Sequence, residues 1–378
     1  MSGGFNPEYL EKLSEHQRGF LKQAVGVKFA KEFLFRKGNH IFVIGNTGSG
    51  KTQKFYWLMD WLKHTEGQIW ISTGKSNEIL PLLCMDRKVR IIIPKGAYFD
   101  IEQHYGQGKY GPIENPPEIV EVGSPGEAWW ACKTPERDKN GNPLQRWINI
   151  FEFRNTITDK NGIRSAWMAR LFETLSEWTR EGTMPAIFPC SIYCDEAQWV
   201  LAGSRITTNN TRTKTSEIVT ENALEIRSAG GRLILAAQDY KNITPASREN
   251  MICSLLCRGA QIERSENNGL AVHCNAKIGI NPSRYSPNMG KFVHSDNTAY
   301  PMYQPWDFPL FPKDEKDRAW LSKVRVRYGR KHGEQTEQDT IKEELGPELG
   351  RFSAMAIKPD VQEMVINRWN AEGVTPDE

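Results

Sequence analysis

The sequence lacks the hydrophobic segments that would direct it to a membrane or out of the cell. No stretch of its 378 residues approaches the roughly 18 consecutive apolar residues that a membrane-spanning helix needs. The first residues, MSGGFNPEYLEKLSEHQ, contain no apolar core of the kind found in secretory signals. We therefore expect a soluble, cytoplasmic protein with no direct membrane span.

The sequence also lacks a large net charge and a cysteine spacing typical of metal sites. The 49 Lys and Arg residues against 46 Asp and Glu residues leave a formal net charge of +3. The chain as a whole would not attract nucleic acid, so any such contact must come from local patches. None of the seven cysteines forms a C-x-x-C pair, and their spacing matches no zinc site. Free, buried thiols in a reducing compartment are the expected state.

What the sequence does contain is a phosphate-binding loop. An apolar, strand-like run at 41–44 leads into GNTGSGKT, which matches G-x-x-x-x-G-K-[ST] at every position, and apolar residues at helical spacing follow. The N–H groups of such a loop can surround a triphosphate; its lysine reaches the β- and γ-phosphates, and its threonine ligates Mg²⁺. The sequence therefore predicts nucleoside triphosphate binding by Gly45, Asn46, Thr47, Gly48, Ser49, Gly50, Lys51 and Thr52, with Thr52 also a metal ligand.

Strand and helix patterns alternate along the chain. Helical patterns are predicted at 77–84, 163–181 and 217–227, and strands at 68–72, 89–93, 147–151, 185–194, 232–237 and 257–262, with a closing pair at 290–294 and 299–303. This alternation predicts an α/β fold in which a mostly parallel, twisted sheet is flanked by helices.

Composition divides the chain into three regions, the second of which contains an insertion. Residues 1–37 are predicted to be a helical segment, and residues 38–310 the nucleotide-binding domain. Within that domain, residues at about 96–146 are rich in glycine and proline, which predicts an irregular insertion or lid. Charged residues dominate 311–378, which we interpret as a small helical appendage.

Two carboxylates follow a second apolar run, at residues 192–196 (IYCDE). At the carboxyl end of a parallel strand both would lie beside the phosphate loop. Asp195 is then placed to hold Mg²⁺ together with Thr52, and Glu196 to activate a water for attack on the γ-phosphate. The alternative is a surface Asp-Glu pair that opens a helix.

Two further polar residues flank the predicted strand at 232–237. Gln238 follows the strand, where an amide can sense the γ-phosphate or position the water; the alternative is a cap on the strand end. Arg227 precedes Ser-Ala-Gly-Gly near the end of a predicted helix. It either compensates the helix dipole or acts as an arginine finger, which often comes from a neighbouring subunit.

The order of these motifs resembles the FtsK/HerA superfamily of DNA-translocating ATPases. In that family an R…AG…ATQ segment follows the Asp-Glu strand; residues 227–238 (RSAGGRLILAAQ) are similar, with Ala237 where Thr is usual. Residues 286–292 (SPNMGKF) resemble the family's closing element. Membrane-anchored members carry transmembrane helices that this sequence lacks, so the resemblance favours a soluble coupling or packaging motor.

The resemblance implies a RecA-like P-loop core, ATP and Mg²⁺ as cofactors, and a homo-oligomeric ring, usually a hexamer, that moves DNA through its pore. Cis roles would fall to Lys51, Thr52, Asp195, Glu196 and Gln238, with Arg227 acting in trans. A membrane channel, a portal or a relaxase-like protein would be the further partner.

A polar loop at 203–215 is the candidate for contact with DNA. It carries Arg205, Arg212 and Lys214 among short polar side chains, which can bind phosphates without reading sequence. A flexible loop in solvent is the alternative.

Motors that move protein, as in secretion or filamentous-phage assembly, would use the same nucleotide site, so the sequence separates them poorly from DNA motors. A nucleotide-dependent switch would have less need of a dedicated base such as Glu196.

Overall fold

The computed structural model describes residues 10–34, 38–73, 76–134, 136–137, 143–153, 163–200, 210–238, 243–244, 246–247, 251, 253–260, 284–285, 289–294, 306–330 and 342–345. Its helices are α1 (Glu15–Leu21), α2 (Ala24–Phe29), α3 (Lys51–Leu62), α4 (Ser76–Ile79), α5 (Pro125–Trp130), α6 (Ile163–Glu181), α7 (Asn210–Ser228) and α8 (Glu315–Leu321). A π-helical turn covers Ala30–Leu34, and 3-10 turns cover Leu80–Cys84 and Ala197–Trp199. Among the residues described, none of these helices has the length and hydropathy that crossing a bilayer requires.

The strands are β1 (Ile41–Ile44), β2 (Gly67–Ile71), β3 (Lys88–Pro94), β4 (Ala97–His104), β5 (Tyr110–Pro112), β6 (Glu118–Val122), β7 (Glu136–Arg137), β8 (Pro143–Gln145), β9 (Trp147–Phe151), β10 (Cys190–Cys194), β11 (Arg232–Ala237), β12 (Cys253–Cys257), β13 (Met289–His294), β14 (Trp306–Asp307), β15 (Val324–Arg330) and β16 (Lys342–Leu345).

One large sheet organises the molecule. It has ten strands in the order β14-β13-β12-β1-β11-β10-β2-β9-β3-β6. All pairings from β12 to β6 are parallel, and only β13 and β14 run antiparallel to their neighbours. The predicted α/β fold with a mostly parallel sheet is therefore confirmed.

Each face of this sheet carries its own apolar core, because successive residues of a strand point to opposite faces. In β1, Ile41 and Val43 join the core that α3 covers. Phe42 and Ile44 join the core that includes residues of α6 and α7. Burial on both faces explains why the central strands are continuous apolar runs, and why they could be recognised in the sequence.

A buried polar network ties the segment before β1 to the sheet. The Arg232 guanidinium donates to Glu66 (Nη2–Oε1, 2.6 Å) and to the carbonyl of Phe33 (2.9 Å), and the Ser191 hydroxyl also donates to Glu66. Both members of the ion pair are almost completely buried. These hydrogen bonds satisfy the two charges, which is the condition for burying an ion pair without a large penalty.

His40, which precedes β1, makes the stability of the fold sensitive to acid. Its Nδ1 accepts from the backbone N–H of Leu233 (3.0 Å), and its Nε2 lies 2.8 Å from the Ala223 carbonyl, so the ring is held neutral. Burial lowers the pKa of His40 from 6.5 to about 4. The unfolded chain therefore binds the proton first. The contribution of neutral His40 to the free energy of unfolding is therefore complete above pH 6.5 and is lost as the pH falls towards 4.

From that shift we expect His40 alone to lower the free energy of unfolding by about 2 kcal/mol when the pH falls from 7 to 5. Urea unfolding of the wild type and of His40→Asn at both pH values measures this cost. The variant should be less stable at pH 7 but should lose about 2 kcal/mol less on acidification. Parallel losses in the two proteins would show that His40 is not the acid-sensitive group.

A second sheet corrects the prediction for two regions. Its four antiparallel strands have the order β16-β15-β4-β5. It therefore joins the insertion at 96–146, predicted to be irregular, to the residues after 311, predicted to be helical. Of the latter, α8 is helical, but β15 pairs with β4 along its whole length, from Val324 opposite Gln103 to Arg330 opposite Ala97.

Alternating side chains explain this small sheet. Phe99 and Ile101 of β4 and Val326 of β15 are buried together in the core of the α3 side. The residues that alternate with these lie on the opposite face of the sheet, where Arg325 forms an ion pair with Glu102 (Nη2–Oε2, 2.6 Å). The two-residue period was present in the sequence, but only the pairing of two distant segments gives each strand its partner.

Three predicted boundaries also change. The strand predicted at 257–262 lies earlier, at Cys253–Cys257 (β12). It pairs with β1, with Cys253 opposite Ile41, so its last residue lies beside the start of the phosphate loop. Helix α7 begins at Asn210, so the last residues of the polar loop predicted at 203–215 are helical. Strand β6, from the predicted insertion, extends the large sheet. The strand predicted at 299–303 lies outside the described residues.

Candidate nucleotide-binding site

The backbone of the loop after β1 requires glycine at three positions. Gly48 and Gly50 have φ values of +73° and +71°, which residues with a side chain rarely adopt. A Cβ on Gly45 would lie 2.6 Å from Ser49 Oγ and 2.7 Å from Cys257 Cβ. Glycine therefore permits both the left-handed turns of the loop and its close approach to β12.

Neighbouring strands hold the start of the loop. The backbone N–H of Gly45 donates to the carbonyl of Ala237 in β11 (3.3 Å), and that of Asn46 donates to the carbonyl of Arg258, just after β12 (3.1 Å). Gly259, at φ +70°, leaves room for the Asn46 side chain. The sequence did not reveal residues 258–259 as neighbours of the loop, because the strand predicted at 257–262 includes them.

Lys51 lies against the loop that precedes it. Its Nζ donates to the carbonyl oxygens of Gly45 (2.8 Å) and Asn46 (3.0 Å). Both acceptors belong to the first two positions of the motif, so the ammonium group lies against the loop.

The structure brings Thr52 and Asp195 together, 143 residues apart in sequence. The Thr52 hydroxyl donates to Asp195 Oδ2 at 2.7 Å, and Asp195 is buried at the end of β10. This hydroxyl and carboxylate are hard oxygen donors of the kind that Mg²⁺ prefers, so the pair fits a magnesium ion.

Several carboxylates lie close to this pair. Burial raises the pKa of the neighbouring Cys194 thiol, and the carboxylates of Glu78, Asp195 and Glu196 add to the effect. Burial likewise raises the pKa of Tyr56, with contributions from Asp195 and Glu78. The smaller, electrostatic part of both shifts comes mainly from carboxylates, which attract a divalent cation.

Glu196 differs from Asp195 in backbone conformation and burial. Its backbone leaves the strand conformation (φ −132°, ψ 86°) at the start of the 3-10 turn Ala197–Trp199. Its carboxylate accepts a hydrogen bond from Gln198 (Nε2–Oε2, 3.3 Å) and is partly exposed, unlike that of Asp195. The two acidic residues thus have different surroundings: Asp195 is buried and Glu196 is partly exposed.

Gln238 and Arg227 lie at opposite ends of β11. Gln238 is exposed and directly follows Ala237, whose carbonyl accepts from Gly45, so it lies beside the phosphate loop. Arg227 is exposed near the end of α7, and its backbone and side chain contact the position of Gly38, before β1. Arg227 is therefore at the amino edge of the sheet, and the fold does not bring it to Lys51 of the same chain.

The candidate DNA contacts are described only in part. Arg205 lies outside the described residues, and Arg212 and Lys214 lie in the first turns of α7. Their contact with DNA remains a prediction.

Fold and site together define a class. The strand order β12-β1-β11-β10-β2, with a phosphate loop after β1 and paired carboxylates after β10, is that of a RecA-like P-loop NTPase core.

Comparison with known proteins gives distant structural matches. No protein-family model and no curated protein matches the sequence. The genome packaging NTPase B204 from Sulfolobus turreted icosahedral virus 2, in complex with ATP-gammaS, is similar over 68% of this chain and 92% of its own, at 12% identity and a TM-score of 0.30. The pCW3 conjugation coupling protein TcpA matches over 74% of this chain and 62% of its own, at 14% identity and a TM-score of 0.37.

ATPases 2 and 3 of EssC from Geobacillus thermodenitrificans match over 75% of this chain and 41% of that one, at 12% identity and a TM-score of 0.37.

Proposed function

We propose that this protein is an ATP-hydrolysing motor that moves DNA and works as a homo-oligomeric ring, as in conjugative transfer or genome packaging. The observation that carries the hydrolytic part is the hydrogen bond between Thr52 and Asp195 beside the phosphate loop, with Glu196 directly after it. The DNA part rests on the order of the motifs from Gly45 to Gln238.

In this proposal Lys51 and the loop N–H groups bind the phosphates, and Thr52 and Asp195 hold Mg²⁺. The ion, when bound, neutralises charge on the β- and γ-phosphate oxygens. Glu196 takes the proton of the attacking water, a role that suits a carboxylate still accessible to solvent. Gln238 lies at the same edge of the sheet and orients the water or senses the γ-phosphate.

The position of Arg227 is consistent with the ring that we propose. Its exposed position at the amino edge leaves the guanidinium available to a neighbouring subunit and not to its own phosphate loop. An arginine supplied in this way stabilises the transition-state charge only in the assembled ring, which is hexameric in this proposal.

Steady-state ATP hydrolysis with and without double- and single-stranded DNA, across a salt series, tests the proposal. DNA should stimulate turnover several-fold, and the stimulation should fade as salt rises, because phosphate contacts release counterions. The strand type that stimulates more is the substrate.

Turnover that neither DNA changes at any salt concentration would contradict the DNA part. It would favour a motor for protein secretion or phage assembly, which uses the same nucleotide site.

A further inference from the structure

The helix that follows the phosphate loop is attached to a distant part of the chain. Gln53, the residue after Thr52, forms two hydrogen bonds with the backbone of Phe311: its Nε2 donates to the carbonyl (2.9 Å) and its Oε1 accepts from the N–H (2.6 Å). One side-chain amide thus satisfies both backbone groups of a residue 258 positions away. The segment that contains Phe311, residues 308–312, is called here the docking segment.

Lys54 links the docking segment to the loop itself. Its side chain is completely buried, an uncommon environment for a lysine. Its Nζ donates to the carbonyl of Ser49 in the phosphate loop (3.4 Å) and lies 5.3 Å from the centre of the Phe308 ring. The ammonium group therefore contacts the loop on one side and an aromatic face of the docking segment on the other.

The charge of Lys54 affects the pKa of a thiol beside the loop. Burial raises the pKa of the Cys257 thiol, and Lys54 and Lys51 oppose that effect. Cys257 lies directly beside Gly45, since a Cβ on that glycine would approach it to 2.7 Å. A buried charge is little screened by solvent, so Lys54 adds to the positive potential that a bound polyphosphate meets.

Aromatic packing holds the docking segment in place. The Phe308 ring makes an edge contact with Trp57 of α3 (4.9 Å between centroids), and Phe311 lies 5.4 Å from Tyr56. Tyr56 and Trp57 follow Lys54 on α3, so the contacts of this helix with the docking segment begin in its first turn and continue beyond it.

We propose that Gln53 and Lys54 are positioning residues for the phosphate loop, and that the docking segment makes nucleotide affinity depend on its own placement against α3. The inference rests on the nucleotide-binding part of the proposed function and is independent of DNA. Removing the Lys54 charge or its aromatic support weakens nucleotide binding, although neither group belongs to the phosphate-binding motif.

The test compares Lys54→Met, Lys54→Arg and Phe308→Leu with the wild type. Dissociation constants for fluorescently labelled ADP, kcat at saturating MgATP and Tm are measured for each. Lys54→Met keeps much of the side-chain length without the charge and should raise the ADP dissociation constant about tenfold. Lys54→Arg should recover most of that loss, and Phe308→Leu should raise the constant severalfold with kcat little changed.

Tyr56→Phe is the matched control. It removes the hydrogen bond from the Tyr56 hydroxyl on α3 to the Glu78 carbonyl on α4 (2.8 Å). It keeps the ring that lies beside Phe311. It should lower Tm and leave the dissociation constant unchanged.

Equal ADP affinity of the wild type, Lys54→Met and Phe308→Leu would overturn the inference, whatever happens to Tm. If Lys54→Met does not fold, Phe308→Leu decides alone: an ADP dissociation constant equal to that of the wild type would overturn the inference. A wild type that binds no ADP would instead contradict the proposed function, so the two failures are distinguishable.

Discussion

Glu196→Gln is expected to bind ATP as tightly as the wild type and to hydrolyse it at least about a hundredfold more slowly. The substitution nearly preserves size but removes the carboxylate to which the proposed mechanism assigns the proton of the attacking water. Loss of a general base typically slows a reaction by about 10²–10⁴-fold. Asp195 and its contact with Thr52 remain intact, so the metal site should persist. Steady-state hydrolysis and equilibrium binding of a labelled ATP analogue measure the two halves of this expectation.

Glu173→Gln is the control for this prediction. Glu173 is an exposed carboxylate on α6 that pairs with Arg170 (3.5 Å), so its loss should leave turnover unchanged. If Glu196→Gln retained the full rate, the base would have to be another group at the carboxyl edge of the sheet.

Lys51→Ala is expected to abolish measurable hydrolysis and to weaken ATP binding. The lysine is the cation that the motif assigns to the β- and γ-phosphates, and loss of such a charge from a preorganised site costs at least about a hundredfold in rate. Its hydrogen bonds to Gly45 and Asn46 also disappear, so the loop loses internal support as well as charge.

Single-turnover hydrolysis with enzyme in excess separates the two effects of Lys51→Ala, because it reports chemistry even when binding is weak. Lys109→Ala, which removes an exposed lysine in the turn between β4 and β5, is the control for charge alone. Hydrolysis near the wild-type rate in Lys51→Ala would mean that the loop is not the catalytic site.

The sequence predicted the central elements because their signals are local. The motif from Gly45 to Thr52 fixes a strand, a turn and a helix within a few residues, and α6 and β11 were predicted with the bounds that they have in the structure. The meeting of Thr52 with Asp195 followed from one rule, that parallel strands bring their carboxyl ends to the same edge.

Long-range pairing was the part that the sequence did not reveal. Strands β4 and β15 are separated by more than 200 residues, and their pattern is ambiguous until each has a partner. Lys54 was equally hidden, since a lysine in an amphipathic helix is expected at the surface. In the structure its ammonium group lies between the Ser49 carbonyl of the phosphate loop and the Phe308 ring of the docking segment.

The small sheet has a practical consequence for shortened versions of the protein. A gene product that ended at residue 310, where composition placed the boundary of the nucleotide-binding domain, would lose β15 and the Phe311 partner of Gln53. Strand β4 would then present unpaired backbone groups and the uncovered side chains of Phe99 and Ile101, which is a template for association between molecules. A minimal enzyme should therefore extend at least to residue 330, and an affinity tag belongs beyond that point.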